Sequence, residues 1–331
     1  MYILLYVLGV SYNQPKLCPN AIWNPNATTF ADVSVVGHLP QAIFVDKNNT
    51  VYVVAQALNQ VLIWPEGSNI STRNISGGLN DSLGIFVNTN GDVYVDNGGT
   101  NHRVDKWTPN ATSSVPVMNV SNRCFSLFID INNTLYCSLD YQYKVLKASL
   151  NNASNTTTTA AGNGTQGAGP YMMYYPNGIF VDSQFNLYVA DCGNHRIQLF
   201  RPGELNGTTI AEIGSTENIN LNCPTDIKLD ADNNLFIADH YNNRIVRSGS
   251  GGFRCIVGCS GQSGNASNQL NHPRYFAFDS YGNIFVTDMD NNRILKFLLE
   301  ENFRGMYNYK LVNLNPFFFY HLESDSIYCM F

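Results

Sequence analysis

One stretch of sequence recurs six times along this chain, and that recurrence limits the possible folds more than any other feature. Its best-formed copy runs from Gly178 to Phe200, GIFVDSQFNLYVADCGNHRIQLF. GIFVD, LYVAD and RIQLF are short runs of β-branched, aromatic and aliphatic residues. The turns between them, SQFN and CGNH, hold residues that accept turn geometry. Apolar residues fall two apart or in clusters of strand length, so no helical period fits. The other copies open at Ala42, Gly84, Ser126, Asp226 and Tyr275. After each first strand comes an anchor: Asp46, Asn88, Asp130, Asp182, Asp230 and Asp279, at intervals of 42, 42, 52, 48 and 49 residues.

A strand-built repeat of about 40 to 50 residues predicts a β-propeller with one four-stranded antiparallel blade per copy. Weaker fourth strands follow at Val115 to Asn119, Thr157 to Ala161, Thr208 to Ile213 and Arg254 to Val257. The sixth copy has none behind it. A strand-like segment at Thr29 to Val36 precedes the first copy and is expected to join the last blade, closing the ring without an open edge. The predicted fold class is therefore all-β, a six-bladed propeller over residues 27–298. A signal-like segment and polar lead occupy 1–26, and a non-repeat tail occupies 299–331, where Phe317, Phe318, Phe319 and Tyr320 stand together.

GNHRIQLF at Gly193 to Phe200 and TNHRV at Thr100 to Val104 make these copies resemble NHL repeats. NNRI recurs at Asn242 to Ile245 and Asn291 to Ile294, while the first and third copies depart to NQVL and QYKV. The resemblance spans about Thr29 to Phe297 and implies a six-bladed NHL propeller. No Gly-His and Trp-Asp pair recurs, which disfavours the WD40 alternative.

Charged residues make up 13% of the chain and net charge is -6, with 19 Lys and Arg scattered singly. A nucleic-acid partner would require a basic stripe, and none is present. The eight cysteines fit neither a zinc finger nor a CxxC redox motif. Cys192 with Cys223 is the favoured disulfide, since both fall in loops of adjacent blades on one face; Cys255 with Cys259 and Cys124 with Cys137 are local candidates. Thirteen Asn-x-Ser/Thr sequons occur: Asn26, Asn48, Asn69, Asn74, Asn80, Asn110, Asn119, Asn132, Asn152, Asn155, Asn163, Asn206 and Asn265. With the cysteines they predict a secreted glycoprotein. MYILLYVLGVS is apolar but lacks a basic n-region and is too short to span a bilayer, so it reads as a weak or clipped signal sequence.

The meander sorts the loops onto two faces. Turns joining strands one to two and three to four lie on the first face; turns joining two to three, and the links between blades, lie on the second. The anchors at Asp46, Asp130, Asp182, Asp230 and Asp279 read as Asx-turn acceptors. On the second face, Asp191 with Arg196, Asp239 with Arg244, and Asp288 with Arg293 read as hydrogen-bonded pairs across one hairpin, with Asp96 and Arg103 a looser version. Repetition argues for structure.

Catalysis has little support. Some NHL-like propellers, the amidating lyases, hold zinc through histidines of different blades, but His102 and His195 belong to the repeat and His240 occupies a different turn position. Of the residues opening the innermost strands only Asp226 is acidic, too few for a calcium cage. No metal site and no cofactor are expected. A metal-dependent lyase or hydrolase on this scaffold is the alternative.

The expected function is a non-catalytic, extracellular binding module presenting second-face loops to a protein or glycan. It reads as a monomeric propeller, with no nucleic acid and no membrane span. Eight sequons (26, 48, 69, 110, 132, 152, 155, 206) fall on the first face, which would leave the second comparatively open. The link at Tyr171, Met172, Met173, Tyr174 and Tyr175, with His195, Tyr241 and Met289, supplies the candidate contact residues.

Overall fold

The computed structural model describes residues 10–151, 156–212 and 219–301. Its core is a ring of six four-stranded antiparallel sheets, one for each copy of the repeat. Five are simple meanders, as in Pro176–Val181, Leu187–Asp191, Arg196–Phe200 and Thr208–Glu212. The sixth takes Pro273–Phe278, Ile284–Asp288 and Arg293–Phe297 from the end of the ring, and its outer strand, Thr28–Ala31, from the start. Thr28 pairs with Lys296 and Ala31 with Ile294, so the ring closes by strand exchange.

The closing strand is shorter than the sequence suggested. It stops at Ala31, and Val33–Val36 form a single helical turn. Asp32 is the reason: its carboxylate accepts Ser34 N at 2.9 Å, capping the turn and overriding the strand preference of the valines.

Period-two alternation in the innermost strands points every second residue at the ring axis. Phe44, Phe86, Phe128 and Phe180 hold one register position in four successive blades, with ring centroids 5.0 to 5.2 Å apart. Lys228 and Ala277 take this position in blades five and six. Tyr12 completes the aromatic girdle from the N-terminal side, 5.4 Å from Phe128 and from Phe180.

The segment around Tyr12 straps the first face. Lys47 N donates to Ser11 O and Ala231 N to Pro15 O, each at 3.1 Å, while Asn13 Nδ2 donates to Asp46 O and Phe278 O. These contacts tie together the adjacent blades five, six and one. Arg247, 2% exposed, donates to the carbonyls of Leu17 and Cys18 and to Asp230 Oδ2 at 2.8 Å. Ile22–Trp23 then pair with Leu299–Glu301, joining the two ends of the described chain.

Neighbouring blades pack closely where the repeat carries glycine. A Cβ on Gly178 would lie 2.6 Å from the Asp226 backbone of the next blade. No helix among the described residues is long and apolar enough to cross a membrane.

Candidate functional site

The repeat motif explains itself as blade hardware. Each first-face anchor accepts the N–H groups two and four residues ahead at 2.9 to 3.0 Å, in all six blades, with Asn88 serving in blade two. The second carboxylate oxygen is also engaged: Tyr52, Tyr136 and Tyr188 donate to Asp46, Asp130 and Asp182, Arg247 pairs with Asp230, and Lys296 with Asp279.

On the second face the pattern is richer. Asp191 accepts Arg196 Nε and Asn194 Nδ2 at 2.8 Å on one oxygen and Tyr174 N at 2.7 Å on the other. Arg196 then reaches the carbonyls of Ala168, Gly169 and Met172. Asp239 with Arg244 and Asp288 with Arg293 repeat the clamp at 2.8 and 2.6 Å. Every clamp fastens the incoming link to its own hairpin. Blade two differs from the sequence reading. Arg103 pairs with Asp105 at 2.9 Å, whereas Asp96 accepts Cys124 N at 2.8 Å. Two extra residues in the DNGGTNHR turn move Asp96 back one position, so that Asn97 occupies the clamp site and receives Asn80 N.

The residue between the motif Asn and Arg turns left-handed, at φ 54° for His195, 55° for Asn243, 54° for Asn292 and 52° for Asn59. Short polar side chains tolerate that region. Their side chains latch the next blade: His195 Nδ1 accepts Cys223 N, Asn243 Oδ1 accepts His272 N, Asn292 Oδ1 accepts Leu39 N and Asn59 Oδ1 accepts Asp81 N. The ring of His195, a candidate contact residue, thus has a structural task. Between blades three and four the latch residue is Tyr143, and packing replaces the polar bond. Tyr143, Tyr174, Tyr175 and Tyr141 form one cluster, with Tyr174 stacked on Tyr175 at 4.3 Å. Met173 beneath them is fully buried, and Tyr171, Tyr141 and Tyr241 stay exposed at 45%, 55% and 53%.

Inside this ring lies the mouth of the central channel, closed by buried side chains. Tyr275 donates its hydroxyl to Phe125 O, and the Arg274 guanidinium lies 4.4 Å from the Phe125 ring centre. Blades three and six face each other across a six-membered ring, so both contacts cross the channel. Below them remains a cavity of 50 Å³ lined by the girdle, Ser126, Lys228 and Tyr275, room for only a few water molecules. The channel is stoppered by Tyr275 above and by Tyr12 below.

The mouth is polar beyond what the sequence indicated. Arg274 also contacts Met289 Sδ at 3.7 Å. Arg123 pairs with Asp81, and below the Tyr275 crossing Lys228 pairs with Asp226 at 2.6 Å. Burial raises the Asp140 pKa, opposed by the Tyr141 N–H and the guanidiniums of Arg123 and Arg274; burial also raises Asp96, to well above the usual carboxylate range. Several buried polar atoms here find no hydrogen-bond partner among the described residues: Gln41 Oε1, Asp96 Oδ2, Asp140 Oδ1, Asn177 Oδ1 and Arg274 Nη2. Gln41 and Asn177 hold the register position of Phe125 and Arg274. Each such group costs about 1–3 kcal/mol until something satisfies it. Sequence reading missed the set because the residues differ from blade to blade; the signal was the polar substitution at a position that carries Leu83 and Phe125 elsewhere.

His240 stacks on His272 at 4.9 Å, and His272 Nδ1 lies 2.5 Å from Asp290 Oδ2. Burial pushes the His240 pKa down from 6.5 to about 4, aided by His272 and Arg274, against the Pro273 carbonyl and Asp290. The unfolded chain therefore takes up a proton as pH falls below about 6.5, while the folded chain does so only near 4. The stability this ring contributes is present above pH 6.5 and lost on acidification, to an extent on the order of 3 kcal/mol. Denaturant titrations of the wild type and His240→Gln at pH 7 and pH 4.5 are expected to show the larger acid loss in the wild type.

Among the described residues three disulfides join Cys124 to Cys137, Cys192 to Cys223 and Cys255 to Cys259. They fit an oxidising compartment. The sequon asparagines at 26, 48, 69, 74, 80, 110, 119, 132, 163, 206 and 265 are all exposed; Asn152 and Asn155 lie outside the described residues, as do the start of the signal-like segment and the aromatic tail. Among the described residues no group of three or more His, Cys, Asp or Glu is placed to hold a metal ion.

Fold and repeat together define the class: a six-bladed β-propeller carrying NHL repeats. The NHL repeat family model matches residues 173–200 and 221–247, the fourth and fifth copies. No curated protein matches the sequence. Among solved structures, a Bacteroides thetaiotaomicron protein of unknown function superposes with a TM-score of 0.68 at 14% identity, over 83% of this chain and 76% of that one. A streptogramin B lyase gives 0.60 at 13% identity, over 83% and 97%. A luciferin-regenerating enzyme gives 0.59 at 12%, over 82% and 95%. At these identities the likeness is one of fold.

Proposed function

We propose that this protein is an extracellular, non-catalytic binding module whose second face receives a protein or glycan. The observation that carries this reading is the second face itself, where Tyr275 closes the channel and large aromatic side chains stay exposed on the surrounding loops. Exposed Tyr141, Tyr171 and Tyr241 lie on the loops around it, and Met172, Tyr174, Tyr175 and Met289 extend the surface. Large, rigid side chains of this kind suit recognition at low entropic cost. On the opposite face the strap of residues 11–15 and the anchor turns already occupy the centre.

Cross-linked capture from extracellular fluid with wild type and a Tyr141→Ser, Tyr241→Ser variant tests the face. The double variant is expected to lose bound material while melting normally; unchanged capture would place recognition elsewhere. Peptide mapping of the secreted protein is expected to find glycans on Asn48, Asn69, Asn110, Asn132 and Asn206, and no free thiol. Unmodified asparagines with reduced cysteines would overturn the compartment.

A lyase or hydrolase is the second reading, favoured by one observation. His240, held neutral at pH 7 and stacked on the His272–Asp290 pair, is a base positioned beside the mouth. The streptogramin B lyase and the luciferin-regenerating enzyme show that the fold hosts enzymes. Stoichiometric zinc or calcium in the purified protein would favour this reading.

A further inference from the structure

The disulfides among the described residues differ in how they meet solvent. Cys124 and Cys137 are fully buried, and Cys192 and Cys223 are 9% and 6% exposed. Cys255 is half-buried in the outer strand of blade five, Gly252–Val257, and Cys259 is exposed at the start of the link to blade six. Of the three bonds, only this one brings a cysteine to the surface. Its two residues stand 4 apart in sequence, against 13 and 31 for the others. A cross-link over so short a loop removes the least freedom from the unfolded chain, so it stabilises the fold least.

The link between blades five and six does not depend on that bond. From Gly264 onward it is fastened to blade six. Asn291 Nδ2 donates to Gly264 O at 2.7 Å, and Arg293 donates to the carbonyls of Asn265, Ala266 and Gln269. At its far end His272 N donates to Asn243 Oδ1 at 3.0 Å. Residues 259–263 differ, because their hydrogen bonds among the described residues are local: Gly261 N to Gly258 O, and Gln262 N to Ser260 Oγ. The Cys255–Cys259 bond therefore holds this exposed segment and little else. The segment starts against the Tyr241 hairpin, since a Cβ on Gly258 would clash with Asn243 O.

We infer that Cys255–Cys259 is a thiol-exchange site, opened by a small thiol such as glutathione at the exposed Cys259. The glutathione thiolate attacks Cys259 Sγ. The Cys255–Cys259 bond breaks, a bond between glutathione and Cys259 forms, and the electron pair leaves on Cys255 Sγ, which takes a proton from water. A second glutathione thiolate then releases Cys259 and departs as glutathione disulfide; attack by Cys255 on the mixed disulfide instead restores the original bond. Exposed disulfides are the readily exchanged kind, and access limits attack on buried ones. The closed form rests in an oxidising compartment, and opening frees residues 259–263 without parting the blades. The inference is independent of what the second face binds.

The test incubates the folded full-length protein with glutathione at graded ratios of its reduced and oxidised forms. Free thiols are trapped with N-ethylmaleimide and mapped by mass spectrometry. Cys255 and Cys259 are expected to open at least about tenfold faster than the other two pairs, with glutathione found on Cys259. Near-ultraviolet circular dichroism is expected to stay native as they do. Cys255→Ser is expected to leave a Cys259 thiol that takes up glutathione in the folded protein. The double variant Cys255→Ser, Cys259→Ser is expected to fold, to melt within a few degrees of the wild type and to keep the two remaining pairs unlabelled. Earlier opening of Cys124–Cys137 or Cys192–Cys223 overturns the inference. So does opening of all three bonds together with loss of the native spectrum. A double variant that does not fold shows the bond to be structural and overturns it as well.

Discussion

A chain begun at Gly37 is expected not to fold to a cooperative monomer. The deletion removes Thr28–Ala31, the outer strand of the sixth blade, and leaves Arg293–Phe297 as an unpaired edge. It also removes the Tyr12 stopper and the buried side chains of Leu17, Trp23 and Val36, which are 2%, 3% and 0% exposed. Burial of three such side chains contributes roughly 5–9 kcal/mol, against a net stability for a domain of about 5–15 kcal/mol. Trp64 of blade one would lose Phe30, whose ring lies 5.4 Å away in the exchanged strand. An exposed strand edge also templates association. Size-exclusion chromatography is expected to show oligomers, and calorimetry no sharp transition. A truncated monomer melting within a few degrees of the intact chain would show that strand exchange is dispensable.

The second large effect belongs to the clamp. Asp191→Ala is expected to lower the free energy of unfolding by about 3–5 kcal/mol, because it leaves a buried guanidinium without its carboxylate. Arg196 is 7% exposed and Asp191 fully buried, and Tyr174 N loses its acceptor as well. The double change Asp191→Ala, Arg196→Met is expected to recover part of the loss, since no uncompensated charge remains. Urea denaturation of the two single variants and the double variant measures this coupling. A cost below about 1 kcal/mol for Asp191→Ala would show the pair to be worth no more than a surface ion pair.

Much of the scaffold was legible in the residues. The anchors at Asp46, Asp130, Asp182, Asp230 and Asp279 recur at one point of a repeating unit, and the Asp–Arg pairs recur five residues apart. Local chemistry of this kind is carried within a single hairpin. Asp96 was misplaced because its partner lies in the next blade's link, at Cys124, and because an insertion shifted the register. The helical turn at Val33–Val36 was misread for the opposite reason: a single cap at Asp32 outweighed the propensity of three valines. The tyrosine link at 171–175 carried a signal of contact, but its partners Tyr141 and Tyr143 come from a hairpin more than 30 residues earlier. Nothing in the link itself indicated that half the cluster replaces a latch.

The sequence by itself determined the number of blades, the strand that closes them and the parity of the loops. Those follow from period, turn chemistry and alternation, each local to a repeat. Only the tertiary structure decided what happens on the axis. Tyr12 and Tyr275 stopper the channel, and Gln41, Asp140, Asn177 and Arg274 gather at its mouth from four different blades. The physical reason is geometric. Residues in separate copies face one another only after the ring has closed, and it is where these copies differ, not where they agree, that the mouth acquires its chemistry.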